Sequence, residues 1–230
     1  MKFNLAAALL LANASANEVV VSFDGADGTT FDFTEMNDPV MGGQSTGTFT
    51  VQNDIAVFDG EVVDVPVLKA PGFIKAYADA QPQGRRYKDV SAFINGDVVL
   101  RVSTTTPEYE GFRISIASGT QNPEHSCANG ATIPGTSGCF KAKFSVPASE
   151  NGEEQEVRIP VKEFSDHWSP YTGDHNVECK DDWTVCITDV NLAVIQRIEV
   201  WAEGAKGTAN LQIKSIEFAQ AEDKEPTLLQ

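Results

Sequence analysis

Arg197-Ile198-Glu199-Val200-Trp201-Ala202-Glu203 alternates without a break between small or branched apolar residues and residues of another kind. Successive side chains of a β-strand point to opposite faces. Ile198, Val200 and Ala202 therefore share a core face, and Glu199, Trp201 and Glu203 share the other. The same period of two sets Phe112, Ile114 and Ile116 against Arg113, and sets Phe140, Ala142, Phe144 and Val146 against Lys141, Lys143 and Ser145. Strand-like runs cover Val19 to Phe23, Gly47 to Val51, Ile55 to Phe58, Glu61 to Val65, Gly72 to Tyr77, Val98 to Ser103, Gly111 to Ala117, Phe140 to Val146, Glu156 to Ile159, Arg197 to Glu203 and Asn210 to Phe218. No long stretch has helical periodicity. Short strands separated by Gly, Pro and Asn turns predict an all-β sandwich. In the last run Leu211 and Ile213 share a phase that Ile216 and Phe218 do not, which predicts a β-bulge near Lys214.

The first sixteen residues give an expectation for the compartment. Met1 to Ala16 reads as a secretory signal peptide: Lys2 is the positive start, Leu5 to Ala12 the apolar stretch, and Ala14-Ser15-Ala16 the small-residue cleavage site. Asn13 interrupts that stretch well short of the roughly 20 residues a spanning helix needs, so no membrane insertion is expected. A mitochondrial transit peptide would be rich in arginine, and the first arginine here is Arg85. Residues 17–220 read as one β-sandwich domain, and Ala221 to Gln230 as a flexible polar tail. The formal charge of −16 disfavours nucleic acid and anionic membrane surfaces.

Two loops interrupt the strand pattern, Ser118 to Gly138 and Ser165 to Asp189. The second holds Trp168, Tyr171 and Trp183. Four cysteines allow three pairings; local proximity favours Cys127 with Cys139 and Cys179 with Cys186, one staple in each loop. Export to an oxidising compartment is consistent with both. The cysteines lack zinc-finger spacing.

Met36-Asn37-Asp38-Pro39-Val40-Met41-Gly42-Gly43-Gln44-Ser45-Thr46-Gly47 contains a glycine pair, the mark of positive φ or of close backbone approach. Asn-Asp-x-Val-Met-Gly-Gly-x-Ser resembles the signature of the complex I intermediate-associated protein 30 family. Phe58-Asp59-Gly60, Pro71-Gly72-Phe73-Ile74-Lys75 and Val157-Arg158-Ile159-Pro160-Val161-Lys162-Glu163-Phe164 follow in that family's order, so the resemblance runs from about Phe23 to Phe218. The chain departs from the pattern in offering Phe33 and Met36 where a Trp usually precedes Asn-Asp, and in lacking the Ser and Arg of Gly-Gly-Phe-x-Ser-x-Arg after Phe73. The resemblance implies a galactose-binding-like jelly-roll sandwich, a relative of many carbohydrate-binding modules. It also implies a chaperone-like assembly factor for respiratory complex I. Asn37, Asp38, Met41, Gly42, Gly43 and Ser45 carry the family motif.

Several groups are candidates for chemistry. Trp201, with Arg101, Arg113, Lys143 and Arg158 on polar phases of other strands, can form a concave ligand-binding face; the alternative is an indole under a covering loop and basic residues paired with carboxylates. An aromatic face in such a place stacks on sugars or anchors a protein partner, and Trp168, Tyr171 and Trp183 extend the ligand-binding set. Asp24, Asp27 and Asp32 follow the first strand in an Asp-Gly-rich turn and are candidates for calcium, with a solvated turn as the competing reading. Glu178, Asp181 and Asp182 form a weaker acidic group. Gly43-Gln44-Ser45-Thr46-Gly47 matches the hydrolase nucleophile elbow, and Asp166-His167 or Asp174-His175 would have to complete it. The strand-to-helix turn that motif needs is not visible around Ser45. The expectation is therefore a secreted, non-catalytic binding module for a protein or a glycan, with a lectin-like module and a serine hydrolase as alternatives.

Overall fold

The alternating run at Arg197 lies inside a nine-residue strand, Ile195–Glu203, whose inner face is as apolar as the pattern requires. A computed structural model describes residues 17–38, 41–80, 85–118, 139–149 and 152–222. In chain order the strands are β1 (Glu18–Ser22), β2 (Thr34–Asn37), β3 (Thr46–Gln52), β4 (Ile55–Val62), β5 (Asp64–Val65), β6 (Ala70–Pro71), β7 (Phe73–Asp79), β8 (Asp97–Ser103), β9 (Phe112–Ser118), β10 (Cys139–Lys143), β11 (Gln155–Pro160), β12 (Ile195–Glu203) and β13 (Gly207–Ala219). A short helix α1 (Asp189–Ala193) precedes β12, capped reciprocally by Thr188 and Asn191.

Two antiparallel sheets face each other. One runs β11-β8-β13-β4-β3 with β1 also on β13, the other β10-β9-β12-β7-β2, and β5 with β6 forms a small separate ribbon. Phe112, Ile114, Ile116, Ile198 and Val200 from the second sheet meet Phe58, Leu100, Leu211, Ile213, Ile216 and Phe218 from the first in one continuous core. The predicted bulge is present, with the β13 register against β8 shifting between Ile213 and Ser215. It has a use: residues 207–213 of β13 pair with β4, while the stretch beyond pairs with β1 on the same edge.

Besides the two-residue β6, which no predicted run covered, predicted and observed strands differ in three places. The run Phe140 to Val146 closes as a ladder at Lys143, although the Phe144 amide still donates to the Phe112 carbonyl (3.1 Å). The run Glu61 to Val65 is divided between the end of β4 and β5. Strand β2, Thr-Glu-Met-Asn, had no apolar alternation to betray it and exists by pairing with β7 at the sheet edge. Met1 to Ala16, residues 223–230 and Cys127, with its expected bond to Cys139, lie outside the described residues.

The glycine-pair motif turns the chain from β2 in one sheet to β3 in the other. Met41 and Gly42 adopt φ of 51° and 81°, the left-handed conformation that glycine takes without cost. Gly43 has ordinary φ and is needed for space: a β-carbon there would lie 2.5 Å from Asp38 Oδ2, and one at Gly72 also 2.5 Å from it. Two glycines thus cradle the buried Asp38 carboxylate. Asn37 Oδ1 accepts from the Gly47 amide (2.7 Å), and the buried Ser45 hydroxyl accepts from the Val63 amide (3.1 Å). The motif ties one corner of the sandwich. Ser45 leads into a strand rather than a helix and its hydroxyl is occupied by backbone, so this is not a nucleophile elbow.

Candidate functional site

The outer face of the β10-β9-β12-β7-β2 sheet bears the residues that alternation assigned to it, but it is closed. Trp201 is only 1% exposed, which corrects the expectation of an accessible indole. Its Nε1 donates to Glu199 Oε2 (2.9 Å) and Ser115 Oγ (3.0 Å). Lys141 Nζ stands 4.1 Å and Lys75 Nζ 4.5 Å from its ring centroid, with the Phe73 ring at 5.3 Å. Glu199 is buried and accepts on its other oxygen from Lys75 Nζ (3.1 Å) and Arg197 (3.4 Å). Arg197 clasps Asp79 with Nε and a terminal nitrogen (2.6 and 2.8 Å), and Lys141 pairs with Glu203. Burial depresses the Lys141 ammonium pKa, partly offset by Glu203.

Segment 164–187 supplies the cover. Ser165 exchanges backbone hydrogen bonds with Lys141 on the free edge of β10, and Ile187 donates back to Phe164. Trp168 then crosses over the sheet, its ring 5.5 Å from Lys141 Nζ and 5.7 Å from the Arg113 guanidinium, stacked on His175 at 4.2 Å. Trp168 is buried, its Nε1 bonded to the Ser165 carbonyl (3.0 Å). Arg113 is buried too, donating to the Glu110 and Phe112 carbonyls, and burial lowers its pKa. Trp201, Trp168 and Arg113 are therefore wall and roof of the loop-to-sheet packing, not an open platform.

The proposed basic set is also split. Arg101 and Arg158 stand on β8 and β11 in the opposite sheet, where Arg101 pairs with Glu156 (2.7 Å) and Arg158 with Asp97 (2.9 Å). The chain changes sheets between β8 and β9, so polar phases on those strands face opposite sides of the sandwich. Asp24, Asp27 and Asp32 are exposed, and Asp24 Oδ1 accepts from Ser22 Oγ (2.7 Å) and the Ala26 amide (3.0 Å), which lowers its pKa. Among the described residues no group of three or more His, Cys, Asp or Glu side chains is placed to hold a metal ion. In the second acidic group Glu178 pairs with Lys180 and Asp182 caps the turn Trp183–Val185.

What remains open is a groove of about 830 Å³ beside β10. Ala142 and Lys143 form one wall, Lys162 and Glu163 from the turn after β11 another, and the 175–187 loop the third. The expected Cys179–Cys186 disulfide clamps that loop, and Trp183 between the cysteines is 80% exposed at the groove. Tyr171 is exposed as well. His175 lines the groove with its Nε2 buried and unpartnered, and burial lowers its pKa. The sequence named Lys143 and Trp183 as candidates and Lys162 only within the family segment from Val157 to Phe164, and nothing in it placed the three around one groove.

The two-sheet jelly-roll with loops packed around one edge is the galactose-binding-like fold of carbohydrate-binding modules. The module CtCBM11 superimposes with a TM-score of 0.52 at 11% identity over 93% of this chain and 100% of that one. The family 11 carbohydrate-binding module of the cellulosomal cellulase Lic26A-Cel5E of Clostridium thermocellum gives 0.50 at 11% identity, covering 91% and 98%. The agarase AgWH50C gives 0.51 at 11% identity over 89% of this chain but 26% of its own, so the chain spans about a quarter of that protein. At such identity the likeness shows the fold alone. No curated protein matches by sequence. The chain belongs to the complex I intermediate-associated protein 30 (CIA30) family, which it matches over residues 21–213.

Proposed function

We propose that this chain is a secreted, non-catalytic binding module whose groove beside β10 takes a glycan, with Trp183 as the stacking platform. The observation that carries the reading is Trp183 itself, a large apolar side chain 80% exposed on a disulfide-clamped loop at the mouth of a groove. An indole offers roughly 150–250 Å² of surface for burial, and binding residues usually sit on loops held by a rigid scaffold. The groove volume falls within the range of about 300–1,000 Å³ typical of ligand sites. A disulfide on the surface suits the oxidising compartment that the N-terminal sixteen residues predict.

A glycan array with the mature protein, with and without calcium, tests this. Trp183→Ala is expected to weaken any hit by about 1 to 3 kcal/mol while leaving the melting temperature within a degree or two. Full retention of binding by that variant would remove the groove from consideration. N-terminal sequencing of exported protein should begin at Asn17; an intact Met1 would sink the secretion reading and revive the mitochondrial one.

One observation favours a protein partner instead, in keeping with the assembly role for which the family is named. Val190, 70% exposed, and Val194 on and after α1 leave apolar surface bare near the same loop. Val190→Asp separates the two readings: it weakens protein capture and leaves glycan binding unchanged.

A further inference from the structure

We infer that the groove beside β10 selects an acidic glycan, one bearing a carboxylate or a sulfate ester, through the ammonium groups of Lys143 and Lys162; this rests on the glycan-binding reading above. The chain carries 33 acidic residues against 17 basic ones, so a lysine placed without purpose normally meets a carboxylate. Lys75, Lys88, Lys141, Lys180, Lys206 and Lys214 each do. Among the described residues only Lys69, Lys143 and Lys162 form no ion pair, and two of those three line this one groove.

The groove's carboxylates do not cancel them. Glu178 is already held by Lys180 Nζ at 2.5 Å. Glu163, with Glu178 acting on Lys143 less than on Lys180, is what remains to balance two ammonium groups that form no ion pair. His175 lines the same groove and is kept neutral by burial, with Glu178 opposing that effect and the Lys143 charge adding to it, so it adds no charge of its own at neutral pH. Lys162 also borders a second depression of about 410 Å³, where Arg158 is spent on Asp97, Glu156 and Glu222. Lys162 thus stands at the junction of two hollows, a position that suits a ligand longer than one sugar.

The chemistry follows from the parts. The exposed Trp183 ring takes the apolar CH face of a sugar, and an ammonium takes an anionic oxygen as a point charge that does not demand one orientation. The overall charge of −16 repels polyanions at a distance, so any preference for an acidic ligand must come from contacts inside the groove.

The test compares matched ligands on the full mature chain by isothermal titration in about 0.15 M salt, where the screening length is about 8 Å. One pair is a galacturonate hexamer and its methyl ester; a second is a sulfated galactan hexamer and its desulfated form. Inorganic polyphosphate is the anion without sugar. Expected is about tenfold tighter binding of an acidic form than of its neutral partner, the scale that two partly screened ion pairs supply. The double variant Lys143→Gln/Lys162→Gln should bring that ratio to about one, chiefly by weakening the acidic form, with the melting temperature unchanged, while Trp183→Ala weakens both forms. The pair that shows the preference distinguishes carboxylate from sulfate. Equal binding of acidic and neutral forms, still dependent on Trp183, overturns the acidic preference and leaves the glycan reading standing. A preference that survives the double variant overturns the assignment to these lysines, and polyphosphate binding as tight as the acidic sugar overturns the sugar. No binding by any of these or across the array overturns the glycan reading itself.

Discussion

Truncating Trp201 tests whether the outer face of the β10-β9-β12-β7-β2 sheet is a second core. In Trp201→Ala the indole leaves a void between Phe73, Lys75 and Lys141, and a buried Trp→Ala change costs about 3–5 kcal/mol. Two further losses push toward the upper end. Glu199 Oε2 keeps Ser115 as a donor but loses the indole N–H, and a hydrogen bond to a charged group contributes about 1.5–3 kcal/mol. Both ammonium groups lose the ring they lie against, each contact worth up to about 2 kcal/mol when desolvated. These terms overlap and do not add, so about 4–5 kcal/mol is the expectation. Urea unfolding at constant slope measures it, and for a domain of this size each kcal/mol lowers the melting temperature by about 2–4 °C. Trp201→Phe restores a ring without the donor and should recover more than half of the loss. Destabilisation below about 1 kcal/mol for the alanine variant, with unchanged slope, would mean that the face is open and the loop does not seal it.

Three other outcomes are expected. Gly43→Val should cost several kcal/mol or prevent folding, because its β-carbon would strike the Asp38 carboxylate; a folded variant with an unchanged melting temperature would show that the cradle gives way. His175 has its pKa depressed below the ordinary value of about 6.5, so the unfolded chain binds the proton first; stability is complete above about pH 6.5 and falls as pH drops below it. His175→Phe should flatten the pH 5–7 part of the stability curve, and an unaltered slope there would exclude His175 as its source. Cys179→Ser/Cys186→Ser should loosen the Trp183 loop and weaken groove binding several-fold while the sandwich melts close to the wild-type temperature, since the loop of seven residues lies outside the core; a fully cooperative loss of fold would place the loop inside it.

The fold was legible because its inner faces obey one rule. The runs through Ile114, Phe140, Val200 and Leu211 place their apolar phase in the core, and the phase break at Lys214 marked the bulge correctly. The same rule put Trp201 opposite Val200, which is where it lies. The step that failed was from polar phase to solvent. Glu199, Arg197 and Glu203 look like a solvated face when read along one strand, yet each finds its counter-charge on another: Lys75 and Asp79 on β7, Lys141 on β10. A charge lattice of that kind is written across strands 62 to 124 residues apart, and no single run contains it. Lys75 supplied the one local hint, since a lysine between Ile74 and Ala76 in a strand pairing with Trp201 has no reason to be there unless it is answered.

The candidate site was less legible for a related reason. Lys143 shares a phase with Lys141 on β10, and sequence treats the two alike. The structure does not: Ser165 pairs with β10 at Lys141 and the covering segment seals that lysine against Trp201 and Trp168. Two residues on, beyond that pairing, Lys143 opens into the groove. Where the covering loop stops decides which lysine is structural and which is free for a ligand. That stop is set by a disulfide between cysteines seven positions apart and by the backbone bond that Ile187 donates to Phe164, neither of which leaves a periodic trace. Lifting the cover should therefore free Lys141 as well. Ser165→Pro removes the amide that donates to the Lys141 carbonyl, and is expected to increase hydrogen exchange across β10 and expose Lys141 to acetylation while Lys143 labelling stays the same. Equal protection of Lys141 in the variant and the wild type would mean that the roof is held by Trp168 and His175 rather than by the strand edge.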